Sequence, residues 1–117
     1  MTGAPEPFVA TLEPHREAIV VVARGEIDLD TTGALEERLR EVLDAGFSRI
    51  VLDLRNVSFV DSTGLRAILN MDAATRAAGV RFALVQGPYA VRHLFELTST
   101  DRALRFIEPH EIDTRWA

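Results

Sequence analysis

The chain has 117 residues, of which 47% are hydrophobic and 26% charged, and its formal net charge is −5. These values are typical of one soluble globular domain, so we treat residues 1–117 as a single domain with a loose lead over residues 1–7. The chain has neither cysteine nor lysine, which excludes disulfides, thiolate metal sites, Schiff-base chemistry and a Walker-A lysine. The acidic balance opposes nucleic-acid binding, and the lack of a long apolar run or signal sequence predicts a cytoplasmic protein without membrane contact.

The first elements form a predicted hairpin. Residues 8–12 and 18–23 are strand-like stretches joined by a short turn, which favours an antiparallel pair. Residues 25–30 then lead out of the sheet.

A helix and a buried strand follow. Residues 31–45 carry apolar side chains at helical spacing, with Asp30 or Thr31 as the expected cap and Gly46 as the expected end. Residues 50–54 form a continuous apolar run, which is typical of a central strand buried on both faces.

The second half continues the alternation of helices and strands. Residues 62–78 predict a helix that ends at Gly79, and residues 80–85 predict a strand. A further helix has Pro88 at its first helical position, and residues 104–107 form a short edge strand.

The last segment, residues 108–116, predicts a helical turn or two in which Trp116 covers the core. The whole order is ββαβαβαβ(α). It predicts an α/β fold with a mixed β-sheet, whose first strand pair is antiparallel and on which the helices pack.

The junction from Asp61 to Gly64 lies between the buried strand and its following helix. Ser62 is therefore expected near a helix N-terminus, where free backbone N–H groups and the helix dipole attract anions. A hydroxyl there has three uses: it caps the helix, it binds or attacks a phosphate, or it carries a phosphate.

The residues in and around this stretch do not match the catalytic motifs of the enzyme classes that it resembles. Asp53 resembles a haloacid-dehalogenase nucleophile, but Arg55 stands where the second acid is needed. The stretch has one residue too many for an aspartic-protease Asp-Thr-Gly, and Ser62 lacks the glycine-flanked elbow of a serine hydrolase. No metal-ligand spacing occurs. We therefore predict no enzyme, no metal and no cofactor.

Local chemistry leaves two uses of Ser62 open. A serine at a helix start is more often a plain N-cap than a regulatory phosphosite. A phosphoserine would add about −1.5 to −2 charge beside Asp61 and make the surface strongly anionic, so that a docked partner loses affinity. One hydroxyl is able to serve both uses.

Three segments carry a resemblance to a known family: residues 25–28, residues 49–54 and residues 57–65, of which the last contains Asp-Ser-Thr-Gly-Leu after a strand. Residues 84–88, 91–97 and 101–104 extend the match to roughly residues 8–112. The chain resembles the STAS family, specifically bacterial anti-sigma factor antagonists.

The resemblance implies a mixed sheet with helices on one side and a partner-switching function. Ser62 matches the serine phosphorylated by an anti-sigma factor that is also a serine kinase, and a serine phosphatase restores the free form. Asp61 and Asp28 match acids on the same face. With Thr63 and Gly64, these residues form the expected partner-binding surface.

Two other functions remain open at this point. STAS domains also occur as scaffolds or accessory subunits, of the stressosome or lipid-transport type, without a phosphorylation cycle. The helix N-terminus alone suits a nucleotide- or anion-binding module.

Overall fold

The computed structural model describes residues 7–116, so most of the expected N-terminal lead lies outside the described residues. Within them, no helix has both the length and the apolar character needed to cross a membrane. The strands are β1 Val9–Pro14, β2 Ile19–Ile27, β3 Arg49–Val60, β4 Arg81–Val85 and β5 Phe106–Ile107. The helices are α1 Thr32–Asp44, α2 Ser62–Ala77 and α3 Tyr89–Leu97, with short 3₁₀ turns at Thr100–Arg102 and Pro109–Glu111.

One sheet holds the five strands in the order β1-β2-β3-β4-β5. The β1–β2 pair is antiparallel and the other pairs are parallel, which confirms the predicted fold class. Each helix connects two neighbouring parallel strands. Because such crossovers are right-handed and all run in the same direction, the three helices share one face of the sheet.

The central strand β3 separates two apolar layers. Ile50, Leu52 and Leu54 face the helices and are fully buried with the apolar sides of α1, α2 and α3. Val51 points to the opposite face, where Trp116 packs against the sheet. The predicted two-face burial of this strand and the covering role of Trp116 are confirmed.

Both strands that lead to the predicted site are longer than expected. β2 continues through Gly25 and Glu26 to Ile27, so the expectation that residues 25–30 leave the sheet is wrong for the first three of them. β3 continues six residues beyond Leu54 to Val60. β2 and β3 stay paired along this extension, and their backbone hydrogen bonds stabilise it although it contains polar residues.

Two helix starts also differ from expectation. Thr31 occupies the N-cap position of α1 without a side-chain cap, because its hydroxyl already accepts from the Asp28 N–H at 2.9 Å and donates to the Glu26 carbonyl at 2.7 Å. The Asp30 carboxylate accepts no hydrogen bond from a described residue either. Pro88 is the N-cap of α3 and not its first helical residue, since its backbone is extended. Gly46 and Gly79 follow their helices with positive φ angles of 86° and 73°, as predicted.

The C-terminal segment is held to the β1–β2 turn by side chains. His15 Nδ1 lies 3.3 Å from Asp113 Oδ2, and His15 Nε2 lies 2.9 Å from Glu13 Oε1. The backbone N–H of Arg16 donates to Asp113 at 2.9 Å. The hydrogen bond with Glu13 and the charge of Asp113 raise the pKa of His15 above its ordinary 6.5, against the opposing effect of burial. The hydrogen bond from His15 lowers the pKa of Asp113 below 3.8.

We expect this attachment to make stability depend on pH. Because the pKa of His15 is raised in the folded state, protonated His15 stabilises the fold. This contribution is fully present below the unfolded-state pKa of 6.5, and it is lost as the pH rises through the folded-state pKa. The Asp113 contribution is instead lost as the pH falls below 3.8. Thermal unfolding midpoints should therefore be higher at about pH 6 than at about pH 8.

The variant His15→Gln should flatten that difference. His110→Gln is the matched control, because His110 is exposed and forms no ion pair with a described residue. An unchanged pH dependence in His15→Gln would contradict the assignment.

Candidate functional site

The site lies where two neighbouring parallel strands end together. Ile27 of β2 pairs with Val60 of β3, so Asp28 and Asp61 leave the sheet at adjacent positions. In sheets of this kind, ligands and partners meet the carboxyl ends of the strands.

Two irregularities in the β2–β3 pairing shape this end of the sheet. The register shifts once between Val22 and Arg24 and again between Gly25 and Glu26. The second shift leaves Ser58 as an extra residue, and its hydroxyl donates to the Gly25 carbonyl at 3.4 Å. Such bulges bend a strand and redirect the side chains that follow it.

Asp61 is the N-cap of α2. Its carboxylate accepts a hydrogen bond from the Gly64 N–H at 2.8 Å, and its carbonyl accepts the first helical bond from Leu65 at 2.9 Å. Its own N–H donates to the Ile27 carbonyl at 3.2 Å. One residue therefore both starts the helix and fastens it to the end of β2.

Ser62 is the first residue of α2 and is exposed. No hydrogen bond joins its hydroxyl to another residue of 7–116. The interpretation of Ser62 as a plain N-cap is therefore wrong, because Asp61 performs that role. The hydroxyl is free for another use.

Gly64 is buried against the end of β2. A β-carbon at this position would collide with the Ile27 carbonyl and lie 2.9 Å from Ile27 Cγ2. Glycine is therefore needed for the close approach of α2 to the strand. The expected contact of Gly64 with a partner stays a prediction.

Asp28 closes the loop between β2 and α1. Its carboxylate accepts from the Asp30 N–H at 3.0 Å, and its own N–H donates to the Thr31 hydroxyl at 2.9 Å. Asp28 is half-buried and its loop adjoins the first turn of α2 through Ile27, so the structure brings together the acids predicted from the sequence.

The charges around Ser62 are unevenly placed. Asp61 directly precedes Ser62, and Asp28 directly follows Ile27, whose carbonyl accepts the Asp61 N–H. Arg66 is exposed one turn further along α2, at the i+4 position from Ser62. Thr63 is half-buried beside Ser62. The free hydroxyl is thus flanked by carboxylates, with one guanidinium within a helical turn.

Two exposed apolar side chains near the site were missed by sequence reasoning. Leu29, between Asp28 and Asp30, is 72% exposed, and Phe59, at the second bulge, is 47% exposed. The position of Leu29, an aliphatic residue between two acids in a predicted loop, is a sequence signal that could have identified it as exposed. For Phe59, the bulge that turns it outward leaves no mark in the sequence.

Comparison with known proteins agrees with this geometry. The STAS domain family model matches residues 10–112. The chain belongs to the STAS domain family. It is 33% identical over 103 residues to the anti-sigma-F factor antagonist RsfB of Mycobacterium tuberculosis, a match that covers 88% of this chain and 84% of RsfB.

Solved structures show the same fold. An anti-sigma factor antagonist from Mycobacterium paratuberculosis superposes with a TM-score of 0.76 at 31% identity, covering 92% of this chain and 91% of that one. Unphosphorylated SpoIIAA, also an anti-sigma factor antagonist, superposes with a TM-score of 0.71 at 22% identity, covering 88% and 91%. At that identity the second likeness shows the fold alone.

The division of roles between Asp61 and Ser62 predicts different stability effects. Asp61→Ala should lower the free energy of unfolding by about 1 kcal/mol, because the Gly64 N–H loses its acceptor. Asp61→Asn should retain most of that stability, and Ser62→Ala should stay within about 0.5 kcal/mol of the parent. Urea unfolding measures all three. A Ser62→Ala loss as large as that of Asp61→Ala would contradict the assigned cap.

The contact at Gly64 predicts a second pair of results. Gly64→Ala should cost about 1–3 kcal/mol, because the added methyl group must displace the Ile27 backbone. Gly33→Ala is the matched control within α1, where a β-carbon meets nothing within 4 Å. That control should gain about 0.4–1 kcal/mol. Equal effects of the two substitutions in urea unfolding would show that the Ile27 contact is unimportant.

Proposed function

We propose that the chain is an anti-sigma factor antagonist switched by phosphorylation at Ser62. The observation that carries the proposal is that Asp61 caps α2, so that Ser62 presents an exposed hydroxyl with no hydrogen-bond partner among residues 7–116. The 33% identity with RsfB, an anti-sigma-F factor antagonist, supports the regulatory class.

In this proposal the chain is a substrate and a binding protein, and its partner supplies the catalysis. An anti-sigma factor with serine kinase activity transfers the γ-phosphoryl group of ATP to Ser62 Oγ. A base of the kinase accepts the hydroxyl proton, and ADP leaves. A serine phosphatase hydrolyses the phosphate ester and restores the hydroxyl.

The helix start is suited to carry the added group without unfolding. The backbone N–H groups in the first turn of α2 have no carbonyl partners within the helix. Of these groups, the N–H of Gly64 is already bonded to the carboxylate of Asp61. Phosphate at the first helical residue also interacts favourably with the helix dipole. The modification therefore changes the surface and leaves the fold in place.

The change of surface is what ends partner binding. Phosphorylation adds about −1.5 to −2 charge beside the carboxylates of Asp28 and Asp61. In the free form, the exposed side chains of Leu29 and Phe59 offer apolar contact area at the same strand ends. A partner packed on this surface would have to bury the phosphate, which is costly without a matching cation.

We expect phosphate to be incorporated at Ser62 alone when the protein is incubated with ATP, Mg²⁺ and its anti-sigma factor kinase. Ser62→Ala should abolish incorporation. Ser58→Ala is the control, because Ser58 is also exposed on the same segment but its hydroxyl is bonded to Gly25. Mass spectrometry of proteolytic fragments locates the group. Phosphate on Thr63 in place of Ser62 would overturn the assignment.

The affinity for the anti-sigma factor should depend on the charge at position 62. Ser62→Ala should bind the anti-sigma factor as tightly as the parent and be insensitive to ATP. Ser62→Asp should bind at least about tenfold more weakly, because it places a fixed charge in the interface. Titration calorimetry without ATP makes the comparison. Equal affinities of both variants would instead favour a constitutive scaffold or accessory subunit.

A further inference from the structure

A second surface feature lies at the other end of α2. A cavity of about 410 Å³ opens between the last turns of α2, the start of β4 and the segment before β5. Ser62 and Arg76 are 14 positions apart on α2, which places this cavity about 21 Å along the helix from the proposed phosphorylation site. It is therefore independent of the carboxyl ends of β2 and β3.

Three arginines line this cavity: Arg76, Arg102 and Arg105. Asp72 is the only acid among the described residues that line it, and its carboxylate is paired with Arg76 at 2.8 Å. Arg102 and Arg105 form no ion pair with any described residue. In a chain of net charge −5, the cavity is a local excess of positive charge.

The backbone around the two unpaired arginines is held in place by hydrogen bonds. The Arg105 carbonyl accepts from the Leu84 N–H of β4 at 2.8 Å. The turn that contains Arg102 is closed by its own N–H, which donates to the Ser99 carbonyl at 3.3 Å. The two exposed side chains therefore extend from an ordered backbone.

Two aromatic side chains contribute to the lining of the cavity. Phe82 is almost fully buried in the core, whereas Phe106 is half-buried and packs edge-on against Phe95 with ring centroids 5.2 Å apart. Polar atoms supply most of the lining, which suits an ionic ligand, and the volume of about 410 Å³ lies within the usual range for a small-molecule site.

We propose that this cavity binds a phosphorylated small molecule that carries a flat apolar group. Arg102 and Arg105 hold the phosphate, because guanidinium groups form paired, charge-assisted hydrogen bonds with phosphate oxygens. The apolar group lies against the exposed part of Phe106. Arg76 stays paired with Asp72 and contributes charge at the rim.

The test uses the full chain, labelled with ¹⁵N, and phenyl phosphate as the probe. We expect saturable amide shifts centred on residues 102–106 and 76, with a dissociation constant on the order of 1 mM for so small a ligand. Inorganic phosphate should bind the same residues more weakly, because it makes no contact with Phe106. Phenol, which lacks the phosphate, should give no saturable shifts there.

The double variant Arg102→Gln, Arg105→Gln should weaken phenyl phosphate binding by at least about tenfold. The control Arg92→Gln, Arg24→Gln removes the same charge from exposed arginines that do not line the cavity, and should change affinity less than about twofold. Far-UV circular dichroism checks that each variant is folded.

Three results would overturn the proposal. Shifts centred on Ser62 would place the anion at the helix N-terminus. Equal losses of affinity in the two double variants would show that phenyl phosphate is attracted to arginine side chains non-specifically. Absence of saturable binding of phenyl phosphate at about 10 mM would show that the cavity has no use for this chemistry. None of these results bears on phosphorylation of Ser62, so the two proposals fail separately.

Discussion

The contact between α2 and the carbonyl of Ile27 is the constraint on which the site depends. This carbonyl accepts the Asp61 N–H, and the missing side chain of Gly64 lets the helix approach it. The end of β2 is thereby fixed to the start of α2, and the Asp28 loop is held beside Ser62. Without this contact, only the pairing of Ile27 with Val60 would hold the Asp28 loop near Ser62.

The same arrangement separates stability from regulation. Asp61 satisfies the N–H of Gly64 and so performs the work of a cap, which makes the hydroxyl of Ser62 unnecessary for the fold. A residue that is structurally free is suited to covalent modification, because adding a phosphate removes no internal hydrogen bond. Had Ser62 been the cap, phosphorylation would have disturbed the helix as well as the surface.

Periodicity and turn chemistry predicted most of the fold, because α1, β3 and the glycine ends of α1 and α2 are strong local signals. The extension of β3 past Leu54 was missed, since two bulges break the alternation and place polar residues within a paired strand. Asp61 and Ser62 are equally good caps by residue type. Only the extended backbone of Asp61, with ψ near −176°, decides between them, and that angle depends on the Ile27 contact.

The charges at the two ends of α2 have different explanations. Asp61 at the start and Arg76 in the last turn both complement the helix dipole, so their presence is accounted for by stability. Arg102 and Arg105 lie outside any long helix and are unpaired among the described residues, so neither a dipole nor an ion pair accounts for them. They come from sequence positions far from Arg76, and only the parallel order of β4 and β5 brings the three together. Their convergence at one cavity, and not their lack of ion pairs, sets them apart from the other exposed arginines and supports the inference of an anionic ligand.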